Sequence, residues 1–286
     1  MTRVRVTVFG CLILFAALVV GQNISPQEYV CPMHPDAHAA GPGACPRCGM
    51  ALVPAIPDFV EYPVRLTLAP RTARAGDRVA LNFRVENPKS RAPVTSFQMT
   101  HEKLFHMFIV SRDLEFFVHD HPAIQRNGSF RYEGRFPQSG MYRLLTDFYP
   151  TGGTPQLSVQ TMFLGGGSFE PVRLAPDLAS KRSVNLEVEL AMDPPQPVAG
   201  FKTLMFFRVK PADGLEPYLG AWGHMLAASD DLIDLIHQHP FLSDGGFQIQ
   251  FNMIFPRART YRIWVQFQRM GIVNTAVFTV PVSVLR

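Results

Sequence analysis

The chain repeats itself. His106-Met107, Ser111, Asp113-Leu114 and His119-Asp120-His121-Pro122 recur as His224-Met225, Ser229, Asp231-Leu232 and His237-Gln238-His239-Pro240, every position displaced by 118. With slightly changed offsets the correspondence continues through Phe136-Pro137 and Phe255-Pro256, then Tyr142-Arg143-Leu144 and Tyr261-Arg262-Ile263. So many unlike residues in one order imply two copies of one folding unit. The copies span about 60–167 and 183–286, and the Gly165-Gly166-Gly167 run opens the linker between them.

Hydrophobic periodicity says what each copy is. Val64-Arg65-Leu66-Thr67-Leu68 alternates apolar and polar, as do Val79 to Val85, Phe130 to Phe136 and Val184 to Leu190. Alternation with period two puts one face of a strand on a core and the other in water. Gly, Pro, Asn and Asp punctuate these short runs, and no long period-3.6 stretch intervenes. About seven strands in about 100 residues predict an antiparallel immunoglobulin-like sandwich for each copy. The expected fold class is therefore mainly β, with two such sandwiches in tandem. At 47% hydrophobic and 17% charged, with 23 Phe in 286 residues, the chain has ample apolar surface for such cores.

Ahead of the repeats lies a different kind of segment. Tyr29-Val30-Cys31-Pro32-Met33-His34-Pro35 is followed, after a Gly/Ala-rich loop, by Gly43-Ala44-Cys45-Pro46-Arg47-Cys48-Gly49-Met50. A two-residue gap lets both side chains of a C-x2-H or C-x2-C knuckle turn toward one ion. Cys31, His34, Cys45 and Cys48 would then form a tetrahedral shell for Zn(II) or, through thiolate softness, Cu(I). Residues 29–54 are too few to own a core, so metal binding would supply their folding energy. Two alternatives stand beside an exchangeable ion: a fixed structural zinc, and a Cys45–Cys48 disulfide.

These residues carry a resemblance. YVCPMHPDAHAAGPGACPRCGMALVP resembles the heavy-metal-binding domain at the N-termini of some copper-transporting P-type ATPases and of periplasmic adaptors of metal-efflux pumps. The resemblance implies Cys31, Cys45 and Cys48 as ligands, with His34 beside them. Met33 and Met50 are further soft donors able to assist Cu(I). It implies as partners the metal ion and a metal-efflux or metal-transfer protein.

The first residues point out of the cytoplasm. Arg3 and Arg5 precede an apolar run from Val6 to Val20, and Gly21 closes a candidate cleavage region. This is the pattern of a signal peptide over residues 1–21, with a periplasmic or secreted destination. An uncleaved anchor is the alternative, and the only reading in which the chain touches a membrane. The formal charge is +4, without a Lys/Arg cluster or aromatic-basic stripe, so nucleic acid is not an expected partner.

The repeated histidines form a second candidate set. Seven of nine histidines lie in or beside the repeated blocks. His119 and His121, like His237 and His239, stand at i and i+2, where strand side chains share a face. His106 and His224 could each complete a triad if the hairpin folds back. Imidazole triads suit Cu(II), Zn(II) or Ni(II). The alternative is a structural corner, with imidazoles bonded to loop carbonyls and Pro ending the strand. His101 has no counterpart, since Leu219 stands there, and is expected to serve the first copy alone.

No G-x-S-x-G, P-loop or H-E-x-x-H occurs, and neither repeat has a cysteine for a blue-copper site. Asp230-Asp231 reads as a turn, and only Asp231 recurs, as Asp113. The expectation is a non-enzymatic exported protein that binds a heavy metal, copper foremost, for sequestration or hand-over. The alternative is a structural or adhesion protein with a fixed zinc knuckle.

Overall fold

A computed structural model describes residues 28–31, 37–55, 60–166, 172–241 and 248–285. The signal segment, Met33 and His34 lie outside the described residues. The chain divides into two compact units, one ending at Ile56 and the other beginning at Pro57. Among the described residues there is no helix, and hence none long and apolar enough to cross a membrane.

The first unit is a three-stranded miniature sheet in which Tyr29–Val30 lies between His38–Ala39 and Val53–Pro54. Among the described residues its interior is Cys31, Cys45 and Leu52, with Tyr29, Ala37 and Ala39 against them. Two of the three core side chains are thus thiols, so little apolar burial holds this unit together.

The second unit holds both repeats, each built from seven main strands. In the first these are β1 (Val64–Ala69), β2 (Arg78–Val85), β3 (Phe105–Ser111), β4 (Phe117–Asp120), β5 (Phe130–Arg135), β6 (Gly140–Pro150) and β7 (Gln156–Leu164). In the second they are β8 (Glu187–Asp193), β9 (Lys202–Lys210), β10 (His224–Ser229), β11 (Leu235–Gln238), β12 (Gln248–Ile254), β13 (Thr260–Arg269) and β14 (Ile272–Pro281). One sheet of the first repeat runs β1-β2-β5 and the other β7-β6-β3-β4; the second repeat has β8-β9-β12 and β14-β13-β10-β11. All main-strand pairings are antiparallel. This is a three-on-four, immunoglobulin-like sandwich, built twice.

Each sandwich fills its own core by alternation. Phe83, Phe105, Met107, Ile109, Phe130 and Leu144 meet inside the first, and Phe207, Met225, Phe251, Ile263, Val265 and Phe278 inside the second. Tyr142 and Tyr261 are corners: the Tyr142 hydroxyl donates to the Gln138 carbonyl (2.7 Å), and the Tyr261 hydroxyl to Asp234 Oδ2 (2.7 Å) with the Arg257 carbonyl 3.1 Å away, which pins the chain just before β6 and β13.

Strands β3 and β10 are buried along their whole length. One side of each faces its own core; the other faces the partner repeat. A seam of Phe108, Val110, Leu114 and Leu145 against Leu226, Ala228, Leu232 and Trp264 joins the two sandwiches. Phe117 stacks on Trp264 at 5.0 Å, 6° from parallel. At the rim Arg262 pairs with Glu115 and donates to the Leu114 carbonyl, while Arg112 donates to the Asp230 carbonyl. Leu114 and Leu232 hold left-handed backbone (φ 62° and 58°) at equivalent hairpin turns. The side chains of both are buried in the seam, which offsets the strain of that conformation.

The seam makes one unit of two repeats, so truncating its centre should be felt globally. Trp264→Ala removes a side chain only 3% exposed. It should lower the unfolding free energy by about 3–5 kcal/mol, read as a shift of the urea midpoint. An unchanged midpoint would show that the repeats do not depend on this contact.

Candidate metal centres

The knuckle places its thiols first. Cys31 leaves the central strand and its amide donates to the Ala37 carbonyl at 3.1 Å. At the other knuckle the Gly49 amide donates to the Cys45 carbonyl and the Cys45 amide to the Met50 carbonyl, both at 2.8 Å. Gly49 sits at φ +72°, where any side chain would be strained. This turn swings Cys48 back toward Cys31, with the two sulfurs 3.6 Å apart. The sulfurs of Cys31, Cys45 and Cys48 lie within 4.8 Å of one another, and no disulfide joins them.

Two thiolates bound tetrahedrally at about 2.3 Å from one ion hold their sulfurs roughly 3.8 Å apart. The knuckle therefore fits a soft or borderline cation, which Cys31, Cys45 and Cys48 would hold. Desolvation raises the Cys45 thiol, but the Arg47 and Cys48 amides and the neighbouring thiols outweigh it and bring the group down to about 6. Cys45 is shielded by the turn's own backbone, whose amides favour the thiolate that a metal needs. Cys48 is shifted up; the Met50 amide pulls it down, but desolvation and the two neighbouring thiols prevail. Met50 is exposed, and His38 is directed to Glu28 at 3.0 Å.

The histidines are placed by the sandwich. β3 and β4 form a hairpin in which Phe108 pairs with His119 and Met107 with Asp120. The next position sets His121 opposite His106, and their Nε2 and Nδ1 atoms are 3.1 Å apart. β10 and β11 repeat this, with Leu226 opposite His237. Donor atoms of His106, His119 and His121 close to within 4.8 Å of one another, as do those of His224, His237 and His239. Met107 and Met225 point the other way, into the cores.

Two rings of each triad have fixed tautomers. His106 Nε2 contacts the Thr100 carbonyl at 2.9 Å, and His224 Nε2 contacts the Tyr218 carbonyl at 2.8 Å. A carbonyl only accepts, so both Nε2 atoms carry hydrogen and both Nδ1 atoms keep a lone pair. His119 Nδ1 meets Gln266 Oε1 at 2.7 Å and His237 Nδ1 meets Asp147 Oδ2 at 3.0 Å, which leaves their Nε2 lone pairs free. His119 Nε2, His224 Nδ1, His237 Nε2 and His239 Nε2 are buried without a hydrogen-bond partner. Buried polar atoms of this kind call for a ligand. A structural corner bonded only to carbonyls would not leave the lone pairs of His119 Nε2, His224 Nδ1 and His237 Nε2 buried without a partner.

Burial pushes His101, His106, His119, His121, His224 and His239 toward neutrality, helped by repulsion among the rings. His119 and His224 fall to about 2 and His121 to about 3; His101, His106 and His239 are also lowered. Neutral imidazole is the form that binds metal.

Sequence reasoning missed two participants and assigned a third to the wrong repeat. Asp147 and Gln266 occupy repeat-equivalent places on β6 and β13, opposite His106 and His224. Their signal was a polar residue inside an otherwise apolar strand in both copies. His101 does not serve the first copy alone: its ring stacks on His239 of the second repeat at 3.7 Å, and lies 5.9 Å from His224 and 6.4 Å from His106. A left-handed turn, φ 47°, carries it across the seam.

The geometry defines a tandem β-sandwich protein with a thiol-rich, metal-binding domain ahead of it. Residues 59–162 and 181–284 match the family described as a domain of unknown function (DUF8832), and the chain belongs to that family. Residues 28–55 match the heavy metal binding domain. Over 35 residues the chain is 51% identical to the silver exporting P-type ATPase of Salmonella typhimurium, a stretch that is 12% of this chain and 4% of that protein. Among solved structures it is similar to FdeC, an Escherichia coli adhesin, at 12% identity and TM-score 0.27, over 82% of this chain and 71% of that one. It is also similar to a two-domain fibronectin type-III segment of chicken tenascin, at 8% identity and TM-score 0.24, over 77% and 99% of the two chains. The sandwich assignment itself rests on strand order and pairing.

The buried neutral imidazoles make a pH prediction. Above the unfolded value of about 6.5 they are neutral in both states. As pH falls below it the unfolded chain takes up protons that the folded chain refuses, down to the folded values near 2 to 3 for His119, His121 and His224. The metal-stripped protein should therefore lose melting temperature steadily from pH 7 to pH 5, where carboxylates contribute little. A flat profile in differential scanning calorimetry would contradict the burial of uncharged histidine here.

Proposed function

We propose that this is an exported copper-binding protein whose thiol knuckle takes up Cu(I) for sequestration or for hand-over to a metal-efflux or metal-transfer protein. The observation that carries the reading is the convergence of Cys31, Cys45 and Cys48 within 4.8 Å in a domain of the heavy-metal-binding family. Three thiolates suit Cu(I), a soft cation content with two or three sulfur ligands. Cys48 is exposed while Cys31 and Cys45 are buried. An incoming donor would reach the ion from the Cys48 side and exchange one sulfur ligand at a time. Such a transfer needs no covalent step and no catalytic group. The Arg3/Arg5 and Val6–Val20 pattern supports export, and a periplasmic or secreted location is part of the proposal.

The test compares the wild-type chain with Cys31→Ser/Cys45→Ser/Cys48→Ser in a competition against a chromophoric Cu(I) chelator under reducing conditions. The triple variant should lose one tight equivalent of Cu(I). Its full retention would refute the thiol site as the carrier. A wild-type protein that instead holds one slowly exchanging zinc and takes no Cu(I) would make the knuckle a fixed structural element.

A further inference from the structure

The two histidine triads are not separate. Within the first, ring centroids are 4.8–6.0 Å apart, and within the second 4.4–6.0 Å. Between them His119 lies 5.3 Å from His224, His106 lies 6.0 Å from His237 and 6.2 Å from His224, and His119 lies 6.3 Å from His237. The distances across the seam match those inside a triad. From these juxtaposed sets of donors we propose that the six histidines form one dinuclear centre, holding two late first-row divalent ions side by side between the repeats.

Four features support two ions in one site. Each triad closes on its own focus, with three donor atoms within 4.8 Å, so each supplies a complete three-imidazole shell. Three protein ligands leave a coordination position open on each ion. The tautomers of His106, His119, His224 and His237 are set from outside by acceptors, the arrangement that orients metal-bound imidazole. And those outer partners are exchanged between the repeats: His119 of the first is held by Gln266 of the second, and His237 of the second by Asp147 of the first. Neither triad is thus oriented by its own repeat alone, and the centre is a property of the docked pair.

The donor set selects the ion class. All six ligands are imidazoles, which suit Cu(II), Zn(II) and Ni(II), and Cu(II) binds most tightly among the divalent series. The triads are also unequal. A carboxylate behind His237 makes it a more basic donor than the amide behind His119 makes its counterpart. The triad of His224, His237 and His239 should therefore fill first. These residues are distinct from the thiol knuckle, so the proposal stands or falls apart from the Cu(I) reading.

The experiment uses the full chain with Cys31→Ser/Cys45→Ser/Cys48→Ser, which removes the thiols of the knuckle and leaves the sandwich unit untouched. Equilibrium dialysis against Cu(II) followed by elemental analysis should find two coppers per chain. Electron paramagnetic resonance of the fully loaded sample should show a coupled pair: spin intensity well below the copper content, or a half-field transition. One copper per chain, none, or two with the full intensity of isolated ions would overturn the proposal. Asp147→Asn keeps all six ligands and should weaken the first-filled ion by ~10–100-fold, the scale of an outer-partner loss. Its circular dichroism melt reports whether the fold is kept. An Asp147→Asn protein with the wild-type fold and unchanged affinity would count against the assigned order of filling.

Discussion

A strand that is buried on both faces has nowhere to put a polar side chain except against a partner. β3 and β10 are such strands, and the molecule is organised by the way they meet across the seam. Their inner sides close two independent sandwich cores. Their outer sides, Phe108 and Val110 facing Leu226 and Ala228, are apolar for most of their length and press the repeats together. At one end of each the apolar run gives way to His106 or His224, each only 1% exposed. There the seam changes from a hydrophobic contact into a polar chamber. The apolar part fixes the spacing, and the polar part inherits it.

Burying an imidazole without satisfying it would cost about 1–3 kcal/mol for each lost hydrogen bond. The fold covers half of that requirement. One nitrogen of His106, His119, His224 and His237 is bonded to a carbonyl, an amide or a carboxylate. The inward nitrogens of three of these and of His239 are left bare. This is the division expected where an outer bond orients a ring for a ligand on its other side. Surrounding groups, with Phe108 stacked on His119 at 4.1 Å, desolvate His106, His119, His121, His224 and His239 and favour their neutral forms. The same burial that disfavours unpartnered imidazole nitrogens therefore prepares them for a cation.

Much of this was legible in the sequence because duplication leaves a register. The displacement of 118 exposed the repeats, alternation exposed the strands, and the i, i+2 spacing paired the histidines on each hairpin. The C-x2-C knuckle was legible for a simpler reason: its ligands are local, so spacing nearly determines geometry. What the residues did not show was the relation between copies. A repeat says that two units are alike, not that they dock, still less through which face. The clue lay in β3 and β10, whose FHMFIVS and HMLAAS runs do not alternate as half-buried strands do. Asp147, Gln266 and His101 were hidden for the same reason, since each acts on a histidine of the other repeat.

Duplication also explains why the chamber has the symmetry it has, and where that symmetry ends. Two copies of one hairpin brought face to face supply two equal triads and two equal carbonyl contacts, from Thr100 and Tyr218. The copies then differ in what touches the rings: Tyr218, 5.2 Å from His224 and 6.0 Å from His119, stands where the first repeat has Thr100, and Phe108, stacked on His119, stands where the second has Leu226. Asp147 stands where the second repeat has Gln266, and His101 where it has Leu219. Asp147 lies behind His237 and His101 stacks on His239, so both act on the second triad, while Gln266 lies behind His119 of the first. The neighbours of the rings vary between the copies while all six imidazoles are kept. The pattern is that of one inherited ligand set made inequivalent by its surroundings, which is how identical first ligands come to hold two ions with different strength.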